Sequence, residues 1–116
     1  MNIKQHLLNT LKTDSVLNLT GDKKVHFIHA NNPIAPYIEY MVISETGAEY
    51  SEGKENYTKY TVQVDIFSLG NYSELENEIK SVLINGGYCR DQAIDLYENK
   101  TGLYHKVMRF NISLPY

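Results

Sequence analysis

Residues 60–87 read YTVQVDIFSLGNYSELENEIKSVLINGG, and the fold turns on the change of period inside that stretch. From Tyr60 to Ser68 the residues alternate: Val62, Val64 and Ile66 fall on one side of an extended chain, and Thr61, Gln63 and Asp65 on the other. A period of two with one apolar side predicts a half-buried strand. The period then changes to that of a helix. Ser73 is placed to cap the first turn with Glu76 reaching back as its capping-box partner, and Gly86 and Gly87 supply a left-handed stop.

Outward from this centre the chain gives further elements. The segment NIKQHLLNTLKT carries Ile3, Leu7, Leu8 and Leu11 at helical spacing, predicting an amphipathic amino-terminal helix. Asp14 and Ser15 lead into a poorly patterned stretch, KKVHFIHA after Gly21 predicts a short strand, and the two prolines of NNPIAP predict an extended crossing segment. From Tyr37 to Glu45 the strand pattern resumes. Ile38, Tyr40 and Val42 face one way and Tyr37, Met41 and Ile43 the other, which predicts a strand covered on both sides. The polar run TGAEYSEGKEN, Thr46 to Asn56, predicts a hairpin loop longer than the usual two to five residues. Asn99 to Gly102 is turn chemistry, pairing GYCRDQAIDLYE with LYHKVMRFNISL. In that last strand Tyr104, Met108, Phe110, Ile112 and Leu114 share a side. The fold expected is α+β, a mostly antiparallel sheet with two helices packed on one face and a long hairpin loop, in a single domain over residues 1–116.

Composition narrows the function classes. Fourteen acidic residues against 11 basic ones oppose a broad phosphate-binding surface. Cys89 is the one cysteine, no signal-peptide order precedes the first helix, and no apolar run approaches the roughly 20 residues of a membrane span, so a reducing cytoplasm and no membrane are expected. The Asn-x-Ser/Thr triplets at Asn18, Asn56, Asn71, Asn99 and Asn111 are then chance products of composition. His26 and His29, three apart, point to opposite faces of a strand, whereas metal ligands converge on a point about 2 Å away. His6 and His105 add no ligand spacing, Cys89 reads as a small core residue, and Asp91, Asp95 and Glu98 read as solvated charges. No phosphate loop, nucleophile elbow or zinc pattern occurs, so no catalytic residue, cofactor or metal is assigned and an enzyme is not expected. Ten tyrosines with no tryptophan point instead to contact surface, with Tyr37, Tyr57, Tyr60, Tyr72, Tyr88, Tyr97 and Tyr104 at or near element ends.

The blocks PIAPYIEYMVI, YTVQVDIFS with NYSELENEIKSVLINGGY, and DLYENKTGLYHKVMRFNI resemble the tail-completion proteins of long-tailed bacteriophages and prophages of Gram-positive bacteria, also called tail terminators or head-to-tail joining proteins. The likeness covers about four fifths of the chain, roughly from Pro33 onward with the amino-terminal helix also in the expected place. Its marks are Pro36-Tyr37, the strand ending Asp65-Ile66-Phe67-Ser68, the helix Tyr72 to Asn85 and the closing pair Leu96 to Ile112. The resemblance implies a structural virion protein of the tail, made in the bacterial host cytoplasm. Its subunits form a ring, typically a hexamer, that caps the major tail tube protein and meets the head-tail connector protein, while DNA passes through without specific binding. It also implies partner contacts on the long loop, at Glu45, Glu49, Tyr50, Glu52, Lys54 and Glu55. Two other readings fit the same residues: a head-completion or connector subunit of a phage, and a small cytoplasmic binding domain using the sheet as a platform.

Overall fold

Strand β3 (Lys54–Ser68) lies in the middle of a five-stranded sheet, between β2 (Tyr37–Ser51) and β5 (Leu103–Pro115). The structure, a computed structural model, describes residues 2–115, and for residues 48–51 it describes the backbone only. The strand order is β1-β2-β3-β5-β4, with β1 (Val25–Phe27) and β4 (Cys89–Glu98) at the ends. Only β1 and β2 run parallel. The predicted alternation in β3 is what the sheet uses: Val62, Val64 and Ile66 are fully buried beneath the helices, and Thr61, Gln63 and Asp65 face the other way.

Three helices, α1 (Ile3–Leu11), α2 (Asp14–Leu17) and α3 (Ser73–Asn85), supply the other half of one core. Leu75, Ile79 and Leu83 of α3 recur every four residues and so share one face, which closes on Val62, Val64 and Ile66 together with Ile3, Leu7 and Leu11 of α1. Each such side chain contributes about 1.5–3 kcal/mol by leaving water. From β5 come Met108, Phe110, Ile112 and Leu114, as the alternation predicts. The glycine stop is a Schellman turn. Gly87, at φ 98°, donates its N–H to the Ile84 carbonyl at 3.1 Å, and Tyr88 donates to Leu83 at 3.0 Å.

Five expectations are corrected. The long loop from Thr46 to Asn56 is a ladder of backbone pairs: β2 and β3 stay in register out to Ser51 and Lys54, leaving Glu52 and Gly53 as a two-residue turn. Both turn residues take positive φ, 53° and 76°, the conformation that matches strand twist. Polar composition suggested a loop, but a strand pair running beyond the core has polar residues on both faces. The capping box is absent too. Tyr72 occupies the N-cap with no side-chain bond, Asn71 Oδ1 accepts from the Ser73 N–H at 2.9 Å, and Glu76 turns to Lys80 and Lys106, because a cation attracts a carboxylate more strongly than a neutral amide does. The poorly patterned stretch after Asp14 holds α2, a single turn too short to show a period, capped by Thr13 and anchored by buried Val16.

Strand β2 is covered on one side only: Ile38 and Tyr40 are buried under the helices, whereas Tyr37 and Met41 are half-buried and Ile43, at a bulge between Val42 and Ser44, is 40% exposed. Cys89 is exposed rather than in the core, because it opens an end strand with a free edge. Replacing Phe110, the largest of the fully buried side chains, with alanine leaves a cavity in the core and should cost about 3–5 kcal/mol in urea unfolding. Gly87→Ala, which forces a side chain into the left-handed region, should cost about 1–2 kcal/mol by the same measurement.

Candidate functional site

The ladder of β2 and β3 outruns its neighbours. Tyr57 pairs with Pro115, the last residue of β5, so the part of the hairpin beyond Tyr57 projects as a two-stranded arm and lengthens the molecule to 52 Å against 28 and 24 Å. Glu52 lies in the arm's turn and Lys54 pairs with Ser51 beside it. Glu45 and Glu55 both line a shallow groove of about 370 Å³ along the arm, with Thr46, Gly47, Thr58 and Tyr60. Thr58 Oγ1 donates to Glu55 Oε1 at 3.3 Å. The side chains of Glu49 and Tyr50, also expected to meet a partner, lie outside the described residues.

A second polar group joins α3 to the sheet. Lys106 interrupts the apolar side of β5, and its Nζ reaches Asp95 Oδ2 at 3.2 Å and Glu76 Oε1 at 3.6 Å. Tyr72 Oη donates to Asp95 Oδ1 at 2.5 Å, and Glu76 accepts from Lys80. Asp95 thus holds its carboxyl below the usual range, first through the Tyr72 hydroxyl and then through Lys106, and the same hydrogen bond pushes the Tyr72 hydroxyl up to about 12. Asp95 is therefore paired as well as solvated. These groups border a cleft of about 590 Å³ with Gly70, Asn71, Ser73 and Tyr104. Each cation there already faces carboxylates, so the arrangement clamps the helix to the sheet and presents no free base beside a nucleophile. The lone lysine among Met108, Phe110, Ile112 and Leu114 was the signal in the sequence for it.

The face of the sheet away from the helices carries a row of rings across four strands. His26 meets Tyr37 edge-on at 6.3 Å, Tyr37 stacks on Phe67 at 4.8 Å, and Phe67 stacks on His105 at 4.1 Å. His26 Nε2 lies 2.7 Å from Asp22 Oδ2, and His105 Nε2 approaches Asp65 Oδ2 at 3.2 Å without hydrogen-bond alignment. Asp65 Oδ1 is buried with no partner, and burial raises its carboxyl above the ordinary value even against the nearby His105 and Gln63. Among the described residues no three His, Cys, Asp or Glu side chains are placed to hold a metal ion. His6 Nδ1 instead meets Tyr88 Oη at 2.8 Å, and His29 is exposed. Of the tyrosines expected at contacts, Tyr88 and Tyr60 are buried in the core, while Tyr57, Tyr97 and Tyr104 stay exposed.

No protein-family model and no curated protein matches the sequence. The fold does have a match among solved structures. A chain from the virion of a native gene transfer agent particle superposes with a TM-score of 0.68 over 98% of this chain and 95% of that one, at 13% identity. The two chains share an end-to-end fold.

Because the native state holds the Asp65 proton to higher pH than the unfolded chain does, this group costs stability as pH rises from the ordinary value of 3.8 through its native value. Asp65→Asn removes that cost. The variant should be at least as stable as the parent at pH 7, and its advantage should shrink below pH 3.8 in urea titrations across pH.

Proposed function

We propose that this chain is a structural virion protein of a tailed bacteriophage or prophage, and within that class a tail-completion subunit. On this reading its copies form a ring that caps the tail tube and joins it to the head connector. The observation that carries the reading is the end-to-end fold likeness to a chain of a gene transfer agent virion. Proline-led β2, the Asp65 to Ser68 strand end, α3 and the closing hairpin are the elements by which the sequence resembles tail-completion proteins.

The remaining features fit a part that works by contact. The charged side chains that converge between α3 and the sheet are consumed in ion pairs, whereas the arm and the end strand are free to meet other chains. A net charge of −3 suits a lumen through which DNA slides without adhering. A head-completion or connector subunit draws the same support from the fold likeness, and tube capping separates the two roles.

Electron microscopy of the protein mixed with tail tubes should show rings seated on tube ends. Replacing residues 48–57 by Asn-Gly joins Gly47 to Thr58, which already face each other, and leaves every core residue in place. This arm-less variant should unfold at nearly the same urea concentration as the parent yet fail to complete tails in an infectivity assay. Infectious particles at the normal titre would remove the arm from the joining contact, and bare tube ends with the parent protein would remove the terminator role.

A further inference from the structure

We propose that copies of this chain join edge to edge, with β4 of one copy pairing antiparallel to the uncovered outer edge of β2 in the next, so that the sheet continues from subunit to subunit. The proposal rests on the ring reading above and names the contact that would build the ring.

The sheet ends in two unpaired backbone rows. On one side β4 presents a ten-residue edge strand, exposed along its length except at Glu98. Natural edge strands are blocked with lysine, proline, bulges or inward charge; Cys89–Glu98 has the bulge between Arg90 and Ala93 and the helix-facing Asp95 but neither lysine nor proline, and it carries Ile94, Leu96 and Tyr97 at 54, 45 and 54% exposure. On the other side β1 covers β2 only at Ile38, Glu39 and Tyr40. From Met41 to Ser51 one side of β2 pairs with β3, and among the described residues no strand pairs with the other side. Unpaired N–H and C=O rows of similar length therefore lie at opposite ends of one sheet.

Their directions agree with a ring. The steps β2 to β3, β3 to β5 and β5 to β4 are each antiparallel, so β4 runs opposite to β2. Rotation about a ring axis keeps strand directions along that axis, so β4 of one copy meets β2 of the next antiparallel, the more stable pairing. A twofold contact of β4 with β4 would also be antiparallel, but it stops at two copies and leaves both β2 edges open. If Leu96 sits opposite Ser44, both lie on the face away from the helices with their partners His105 and Thr61, and the bulge at Ile43 then sets Tyr97 opposite Val42 on the helix side and Glu98 opposite Met41, just clear of β1. Tyr97 then falls beside the exposed Ile43. The stagger this requires is the shear that any closed sheet needs, and the bulge between Arg90 and Ala93 adds twist.

The test uses the full chain carrying Cys89→Ser. Leu96→Cys combined with Ser44→Cys, or one pleat further along with Thr46→Cys, is oxidised and run on a denaturing gel. Head-to-tail pairing should give a ladder rising from dimers toward the covalent ring, while each single-cysteine variant stays monomeric. Strong dimers from Leu96→Cys alone would mean a twofold contact and overturn the proposal. In the unmodified background Leu96→Lys should weaken self-association about tenfold in sedimentation, with an unchanged circular dichroism spectrum. Rings visible by microscopy with no ladder and no effect of lysine would overturn the edge contact and leave the ring reading standing. A protein that forms neither rings nor ladders at high concentration or with tail tubes would overturn both.

Discussion

The structure depends on the burial of one side of β3. Val62, Val64 and Ile66 leave water completely beneath α1 and α3, while the same strand is hydrogen-bonded to β2 on one side and β5 on the other. A slip of one residue would move all three into the layer of Thr61, Gln63 and Asp65 and replace them with polar groups. The register of both neighbouring strands follows from this constraint, and so does the position of α3, whose four-residue apolar spacing has only this surface to cover.

Three helices cover one face of a five-stranded sheet and leave the other open. The open face compensates laterally, through the stack of Tyr37, Phe67 and His105 and through cross-strand bonds such as Thr61 Oγ1 to Asn111 Oδ1 at 2.9 Å and Arg109 Nε to Gln63 Oε1 at 3.0 Å. Rings and amides that pair within the plane of the sheet stay ordered without a covering layer. They also leave a surface with few side chains free to do chemistry. The molecule also carries a projecting hairpin at one end and, among the described residues, uncovered strand edges at both sides.

Legibility in the sequence followed the range of the interaction. The β3 alternation, the α3 stripe and the Schellman stop were all readable, because each depends on residues within a few positions of one another. The β4–β5 hairpin was readable for the same reason, since Asn99 to Gly102 close a short loop. The capping box misled because Glu76 had a competing local partner in Lys80, four residues on, and a distant one in Lys106, thirty residues away on β5. The arm misled because a polar strand pair outside the core has no apolar side to announce it. Of the expected contact residues, Glu45 and Glu55 line one groove along the arm, set by a strand pairing that composition cannot express.

By itself, then, the sequence determined helices α1 and α3, the core strands, the buried side of β3 and the turn at Gly86 and Gly87, because 3.6-residue and two-residue periods are local consequences of backbone geometry. Only the tertiary structure decided that Cys89 would be exposed, that Lys106 would bridge Glu76 and Asp95, and that β1 would stop at Phe27 and leave most of one β2 edge bare. Those outcomes depend on which strand ends up at the border of the sheet. That choice is settled by packing among segments far apart in the chain, where local periodicity carries no information.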